Sequence, residues 1–264
     1  MAARSPLVNV MVNAAYKAAK GLVRDFGEVE QLQVSRKGPA DFVSAADLRS
    51  EQILKRELGK ARPDYGLLFE EGGGSAGKDA SNRWVVDPLD GTLNFLHGIP
   101  HFAISIGAER DGEPYAGVIY NPVTDELYWA EKGKGAHLND RRLRVSARRK
   151  IEEALVGTGA PFLGHGDHPI FLARAKAVMA ATAGLRRMGA AALDLAYVAA
   201  GRLDGFWEEP LNPWDICAGI VLVREAGGYV SEIAGGNAMM SSGSVLAAND
   251  QLHRPLGDLL RGAA

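Results

Sequence analysis

Trp84-Val85-Val86-Asp87-Pro88-Leu89-Asp90-Gly91-Thr92-Leu93-Asn94 ends an apolar run in two carboxylates three residues apart. Trp84–Val86 reads as the end of a buried strand. Pro88 has no N–H and a fixed φ, so the ladder is expected to stop there. Asp87 and Asp90 then project into a tight turn. Gly91 permits close backbone approach, and Thr92 is expected to cap a following helical turn. Two carboxylates ~4 Å apart at an effective dielectric of ~20 repel by about 4 kcal/mol, so one takes up a proton or a cation lies between them. Oxygen-only donors point to a hard divalent ion.

The flanking sequence repeats this grammar of an apolar run with an acid at its edge. Tyr65–Phe69 is a short buried strand ending in Glu70-Glu71. In the following Gly72-Gly73-Gly74-Ser75-Ala76-Gly77-Lys78-Asp79, the glycines and lysine mimic a nucleotide-binding loop. Asp79 replaces the magnesium-binding Ser or Thr, and no apolar helix follows, so a mobile surface loop is expected instead. Downstream, Phe102–Ala108, an Asp111-Gly112 turn, Tyr115–Tyr120, Glu126–Ala130 and Ala136–Leu138 read as an antiparallel meander.

Upstream, Ser5-Pro6 caps a helix predicted over 6–26 by its apolar spacing. A polar strand Gln31–Ser35 leads into a turn at Arg36-Lys37-Gly38-Pro39, and a second helix covers 45–61. Asp41 and Asp47 flank its start, where acids complement the helix dipole. Beyond Ile151 strands alternate with helices. Strands are expected at 154–158, 185–188, 203–207, 229–231 and 245–248, and helices near 168–182, 190–201, 214–227 and 250–261. Residues 1–150 thus form an α+β half and 151–264 an α/β half of one compact unit, with a ligand cleft between them.

The totals exclude several classes. The chain has 264 residues and a net charge of −2, with no global drive toward nucleic acid or anionic membrane. No stretch approaches a membrane span, and no secretory leader precedes the first helix. The one cysteine, Cys217, excludes an internal disulfide and suits the cytoplasm; its apolar helical setting makes it a packing residue. The six histidines form no zinc set, and no serine-hydrolase elbow is present. His165 and His168 read as loop or cap residues. Arg141, Arg142, Arg144, Arg148, Arg149 and Lys150 crowd ten residues without interleaved aromatics, which favours a solvated rim over a nucleic-acid patch. Asp215, at the first turn of an apolar helix, and Glu208-Glu209, after Gly205-Phe206-Trp207, complete the acids at element edges.

With those residues in view, the chain resembles the inositol monophosphatase family of magnesium-dependent, lithium-sensitive phosphatases. Four blocks carry the resemblance: Gly38 to Asp47, Phe69-Glu70-Glu71-Gly72, Trp84 to Asn94 in the form W-x-x-D-P-x-D-G-T-x-N-F, and Trp214-Asp215 with Glu225-Ala226-Gly227-Gly228. It implies an αβαβα layered sandwich, usually a homodimer, acting on a small phosphate ester. By the family pattern, Glu70, Asp87 and the Leu89 carbonyl hold one magnesium. Asp87, Asp90 and Asp215 hold a second, and Glu70 helps hold a looser third. Thr92 orients the attacking water, with Asp47 polarising its hydroxyl, and the Gly91 and Thr92 amides face the phosphate. Gly189, Ala190, Ala191 and Glu208 line the alcohol pocket, alongside Asp90 and Asp215. Ala190 departs from the Ser or Thr of many relatives, and the basic residue before Gly38-Pro39 falls at Arg36 or Lys37 by the alignment chosen. The resemblance implies inositol monophosphate or a related sugar phosphate as substrate. Fructose 1,6-bisphosphate, histidinol phosphate and a 3′-phosphoadenosine nucleotide are alternatives with the same chemistry. A non-catalytic binding protein using residues 141–150 is the alternative of another class.

Overall fold

The computed structural model describes residues 4–28, 34–38 and 41–263. Its first layer is a helix pair. Ser5 opens α1 (Pro6–Phe26) by accepting from the Val8 amide at 3.2 Å, and Pro6 sits where a missing N–H costs nothing. α2 (Ala45–Ala61) opens on a reciprocal cap: Ser44 accepts from the Ala46 amide at 3.1 Å, and the Asp47 carboxylate accepts from the Ser44 amide at 2.9 Å. Arg49 of α2 reaches the buried Asp25 of α1 at 2.6 Å. Both helices have the spans their spacing predicts. β1 (Val34–Gly38) pairs antiparallel with β2 (Asp41–Ser44), so Arg36 and Lys37, expected to open a turn, belong to a strand. The rest of the expected segment, Gln31 to Gln33, and Pro39 lie outside the described residues.

The second layer comprises β3 (Tyr65–Phe69), β4 (Gly73–Ser75), β5 (Asp79–Asp90), β6 (Ala103–Arg110), β7 (Glu113–Asn121), β8 (Glu126–Glu131), β9 (Gly135–Leu138) and β10 (Arg141–Arg142). They form one sheet in the order β10-β9-β8-β7-β6-β5-β3-β4. β6 to β9 are the expected antiparallel meander, which β5 and β10 extend at its two sides, and Asp111 and Gly112, at φ 53° and 80°, make the tight β6–β7 turn. β3 runs parallel to β5.

Three local expectations are corrected. The segment expected to be a mobile loop at 72–79 contains β4, which pairs with Leu67–Phe69; glycine-rich sequence concealed a strand that needs only backbone bonds. The ladder does not stop at Pro88. β5 runs on to Asp90, with Asp87 opposite Ser105 and Asp90 opposite Ala103, so Pro88 and Leu89 bulge against Ile104 alone. Thr92 is not a cap: Gly91 is the N-cap of α3 (Thr92–Leu96), and Thr92 is its first residue.

The third layer is α5 (Ala191–Ala199) and α6 (Pro213–Glu225). The fourth is a sheet of β11 (Leu155–Thr158), β12 (Gly184–Arg186), β13 (Gly205–Glu208), β14 (Tyr229–Ser231) and β15 (Val245–Ala248), in the order β12-β11-β13-β15-β14. α4 (His168–Ala181) and α8 (His253–Gly262) cover its outer face, and a short α7 (Met239–Ser242) packs on α6. This is the layered αβαβα sandwich. Strand residues alternate between its cores with the two-residue period of a pleat. Ile104, Ile106, Val118 and Trp129 face the first helix pair, whereas Ala103, Ile119, Tyr128 and Ala130 face the middle helices. α6 lies close to the larger sheet because Gly107 and Gly117 present no side chain: a Cβ on Gly107 would strike Cys217, and one on Gly117 would come within 2.7 Å of the Ala218 Cα. Cys217 is accordingly the buried packing residue its context predicts.

In the basic segment, Arg148 pairs with the buried Asp204 at 3.1 Å, and Lys150 lies 3.7 Å from Glu153. Arg141, Arg144 and Arg149 are exposed and make no ion pair among the described residues.

Candidate active site

The β5 bulge is pinned from every side. The Asp87 Oδ1 accepts from the Leu89 amide at 2.8 Å, and the Pro88 carbonyl accepts from the Ser50 hydroxyl at 2.9 Å. Asp90 Oδ2 accepts from the Ala192 amide at 2.8 Å, which ties β5 to the first turn of α5. Gly91 then turns the chain at φ 89°, a left-handed conformation, and a Cβ there would come within 3.0 Å of the His101 carbonyl. The Thr92 hydroxyl lies 3.0 Å from both Asp47 Oδ1 and the Leu89 carbonyl, and its single proton serves one acceptor at a time. Asn94 donates to the carbonyls of His101 at 2.8 Å and Met188 at 2.9 Å, which anchors the 188–191 wall to α3.

Two further acids arrive from other elements. The Glu70 amide donates to the Val86 carbonyl at 3.2 Å, so Glu70 leaves β3 beside Asp87. Asp215 sits in the first turn of α6 and accepts from the Asn212 amide at 2.7 Å, while the Ser105 hydroxyl holds the Trp214 carbonyl at 3.3 Å. Electrostatics show how near the acids stand. Burial pushes the Asp87 carboxyl well up, and Glu70, Asp90 and Asp215 push it further. Burial does the same to Asp90, reinforced chiefly by Asp215. Glu208, at the end of β13, is raised to about 8 by burial and then by Asp215, against the opposing pull of Arg187. Among the described residues, no three acid, histidine or cysteine side chains close into a ready-made ion cage. The carboxylates are within electrostatic reach of one another without being drawn onto one point.

The acids border a cleft of about 440 Å³. Of the sequence-predicted residues, Glu70, Asp90, Gly91, Thr92, Glu208 and Asp215 line it, and Gly189–Ala191 form a wall. Asp47, Asp87 and Leu89 lie behind that surface, all three buried. Several participants escaped the sequence reading. Arg187 lines the cleft, and Gly159 leaves room for the Glu208 carboxyl, which any Cβ there would strike. Ser50 and Glu51 support the site from α2. Asp194 lies buried in α5 with neither carboxyl oxygen hydrogen-bonded. Only the placement of an acid next to apolar sequence could have flagged Asp194. A larger cavity of about 670 Å³ between α4 and α8 has mostly small apolar walls and no such convergence of acids.

A layered αβαβα sandwich with carboxylates at strand and helix ends around one cleft has the architecture of a phosphoric monoester hydrolase, and comparison with known proteins establishes that class. The chain belongs to the inositol monophosphatase family, whose model matches residues 3–261. It is 57% identical to an inositol-1-monophosphatase of Rhizobium meliloti (strain 1021), over 98% of this chain and 97% of the relative. A crystal structure of the extragenic suppressor protein suhB from Bartonella henselae superimposes with a TM-score of 0.96 at 54% identity, covering 98% of this chain and all of that one. A Pseudomonas aeruginosa protein named Nus factor SuhB is 42% identical over 95% of this chain and 94% of its own length.

Proposed function

We propose that the cleft hydrolyses a phosphomonoester of myo-inositol or a similarly hydroxylated alcohol, with magnesium as the cofactor. The observation that carries this reading is the gathering of four carboxyl groups at one cleft, where Glu70 and Asp215 both push up the buried Asp87 and Asp90 carboxyls, next to a Thr92 hydroxyl held by Asp47. The donor chemistry fits the ion: carboxylates and the Leu89 carbonyl are hard oxygen ligands, and their mutual repulsion is what a divalent cation relieves. Glu70, Asp87, Leu89, Asp90 and Asp215 would hold two or three such ions. When bound, they would neutralise the ester, acidify a water and stabilise charge on the leaving alkoxide. Thr92 orients the attacking water from its first-turn position on α3. Asp47, behind it, keeps the hydroxyl directed. Glu208 and the Gly189–Ala191 wall contact the alcohol, with the Glu208 carboxyl placed to hydrogen-bond a substrate hydroxyl.

Phosphate release from inositol 1-phosphate with magnesium is the direct test, compared by kcat/KM with fructose 1,6-bisphosphate, histidinol phosphate and a 3′-phosphoadenosine nucleotide. Asp90→Asn and Asp215→Asn are expected to lower turnover at least about a hundredfold with the fold intact, the scale of losing a group that stabilises transition-state charge. Near-wild-type turnover in either variant would show that the ligand set is misplaced. Lithium inhibition and a homodimer follow from the family resemblance and a cytoplasmic setting from the single cysteine, and inhibition assays, sedimentation and fractionation check them. Among the described residues no helix is long and apolar enough to cross a membrane.

The relative named Nus factor SuhB, together with Arg141, Arg144 and Arg149, which are exposed and make no ion pair among the described residues, supports a second reading in which the basic rim at 141–150 binds nucleic acid or an acidic partner. That binding would weaken steeply with salt and survive Asp90→Asn, whereas phosphatase turnover would not.

A further inference from the structure

Asp47, Ser50, Glu51 and Leu54 follow one another at helical spacing along α2, so they form one stripe. The first three each grip a different segment of the site. Asp47 holds the Thr92 hydroxyl at 3.0 Å, and Ser50 donates to the Pro88 carbonyl at 2.9 Å. Glu51 Oε2 accepts from the Glu71 amide at 3.0 Å and the Gly72 amide at 3.2 Å. Its other oxygen takes Lys55 Nζ at 2.6 Å, and that ammonium lies 5.0 Å from the centre of the Phe69 ring. The pair is moulded to the turn: a Cβ on Gly72 would collide with Lys55 Nζ.

Glu51 is only 5% exposed, and a buried carboxylate needs its acceptor sites filled. Lys55 neutralises it from within the same helix, so charge compensation alone does not require contact with another element. Yet one oxygen is given wholly to the two amides that follow Glu70. On its other side Glu70 is held through its own amide to Val86. The residue is therefore clamped both before and after its side chain.

We propose that Glu51 is a positioning residue for cation binding. By fixing the Glu71 and Gly72 amides it aims the Glu70 carboxylate, and with Asp47 and Ser50 it makes α2 the common frame for the two ligand-bearing segments, 70–72 and 87–90, and for the Thr92 hydroxyl. The inference rests on the magnesium reading of the cleft. Groups that orient metal ligands from behind change affinity by about 10- to 100-fold when removed.

Glu51→Gln and Glu51→Asp separate reach from charge. The glutamine keeps an oxygen at the position of the two amides and loses the charge. The aspartate keeps the charge for Lys55 and withdraws by one methylene. Magnesium affinity by calorimetry without substrate is expected to fall about tenfold or more in Glu51→Asp and to stay within about threefold of wild type in Glu51→Gln. The magnesium concentration for half-maximal turnover should move in parallel, with kcat at saturating magnesium within about threefold of wild type. Leu58→Ala, which removes a fully buried side chain from the same helix, should lower the melting temperature and leave magnesium affinity unchanged. The proposal is overturned if folded Glu51→Asp binds magnesium as wild type does, if Glu51→Gln loses as much as Glu51→Asp, or if Leu58→Ala weakens binding equally. If wild-type protein itself binds no magnesium, the phosphatase reading fails first and this inference with it.

Discussion

A single hydroxyl carries much of the proposed chemistry. Thr92 lies 3.0 Å from Asp47 and from the Leu89 carbonyl, in the first turn of a helix set up by the left-handed Gly91. Thr92→Ala removes the hydroxyl proposed to orient the water, whereas Thr92→Ser keeps the oxygen. Turnover should fall by about a hundredfold or more in the alanine variant and by less than about tenfold in the serine variant, with similar KM, when kcat and KM are measured at saturating magnesium. Asp194 is the other residue with a decisive environment. Burial pushes its carboxyl well above the ordinary range, helped by Glu208 and Asp90 and opposed by Arg187. The folded state therefore keeps a proton that the unfolded chain releases near pH 4, so this group lowers stability progressively as pH rises above that point toward its folded pKa, by at most about 1.4 kcal/mol per pH unit. Asp194→Asn should remove that slope. Urea melts in chelator at pH 5 and pH 8 check it, and a wild-type-to-variant gap that does not widen toward pH 8 contradicts the buried, unpaired carboxyl.

Elements whose signals are local were legible in the chain. The α1 and α2 spans follow from caps and apolar spacing that need no partner strand, and the meander follows from alternation and the Asp111-Gly112 turn. The acids gathered at the cleft were legible too, because each stands at the edge of an apolar run: Glu70, Asp87 and Asp90 after one, and Asp215 before one. What failed depended on neighbours in space. Pro88 lacks a donor, yet its strand continues because β6 pairs with Asp87 and Asp90 on either side of a bulge. The support from Ser50 and Glu51 arises only once α2 packs behind β3 and β5, and Arg187 joins the cleft through the turn after β12. The contact between α6 and the larger sheet is another relation that no local pattern encodes, and it makes a sharp test. Gly107→Ala places a methyl against Cys217, whereas Gly117→Ala meets the Ala218 backbone. Overpacking of this kind costs about 1–3 kcal/mol. Cys217→Gly, which removes both the Sγ and the Cβ that a Gly107 Cβ would meet, should recover part of the loss in Gly107→Ala and none in Gly117→Ala, as read by denaturant melts of the single and double variants. Equal recovery in both pairs would mean that α6 does not sit on the sheet as described. Burial also pushes the Cys217 thiol up, so thiol reagents should modify it only on unfolding.

At the scale of the whole molecule, the acids belong to different layers. Glu70, Asp87 and Asp90 come from the larger sheet, Asp215 from the middle helices, and Glu208 from the smaller sheet. α6 touches both sheets, so its first turn joins the site at a point where the layers already meet. We infer that residues 1–150 and 151–264 unfold as one cooperative unit, because the cleft and the core around α5 and α6 draw side chains from both. Calorimetry of the metal-free protein should then show one heat-absorption peak, and two resolved peaks would separate the halves. On the proposed reading magnesium would bind only where the folded chain gathers the carboxylates, so it would stabilise the native state by mass action. At a hundred times its dissociation constant the gain is about 2.7 kcal/mol, which for a chain of this size raises the melting temperature by roughly 5–10 °C. The shift should vanish on adding chelator and shrink in Asp215→Asn, whose own melting temperature without metal should be no lower than wild type, because one of the mutually repelling charges is gone. A wild-type melting temperature indifferent to magnesium would remove the cation from the site, and with it the reason these acids stand together.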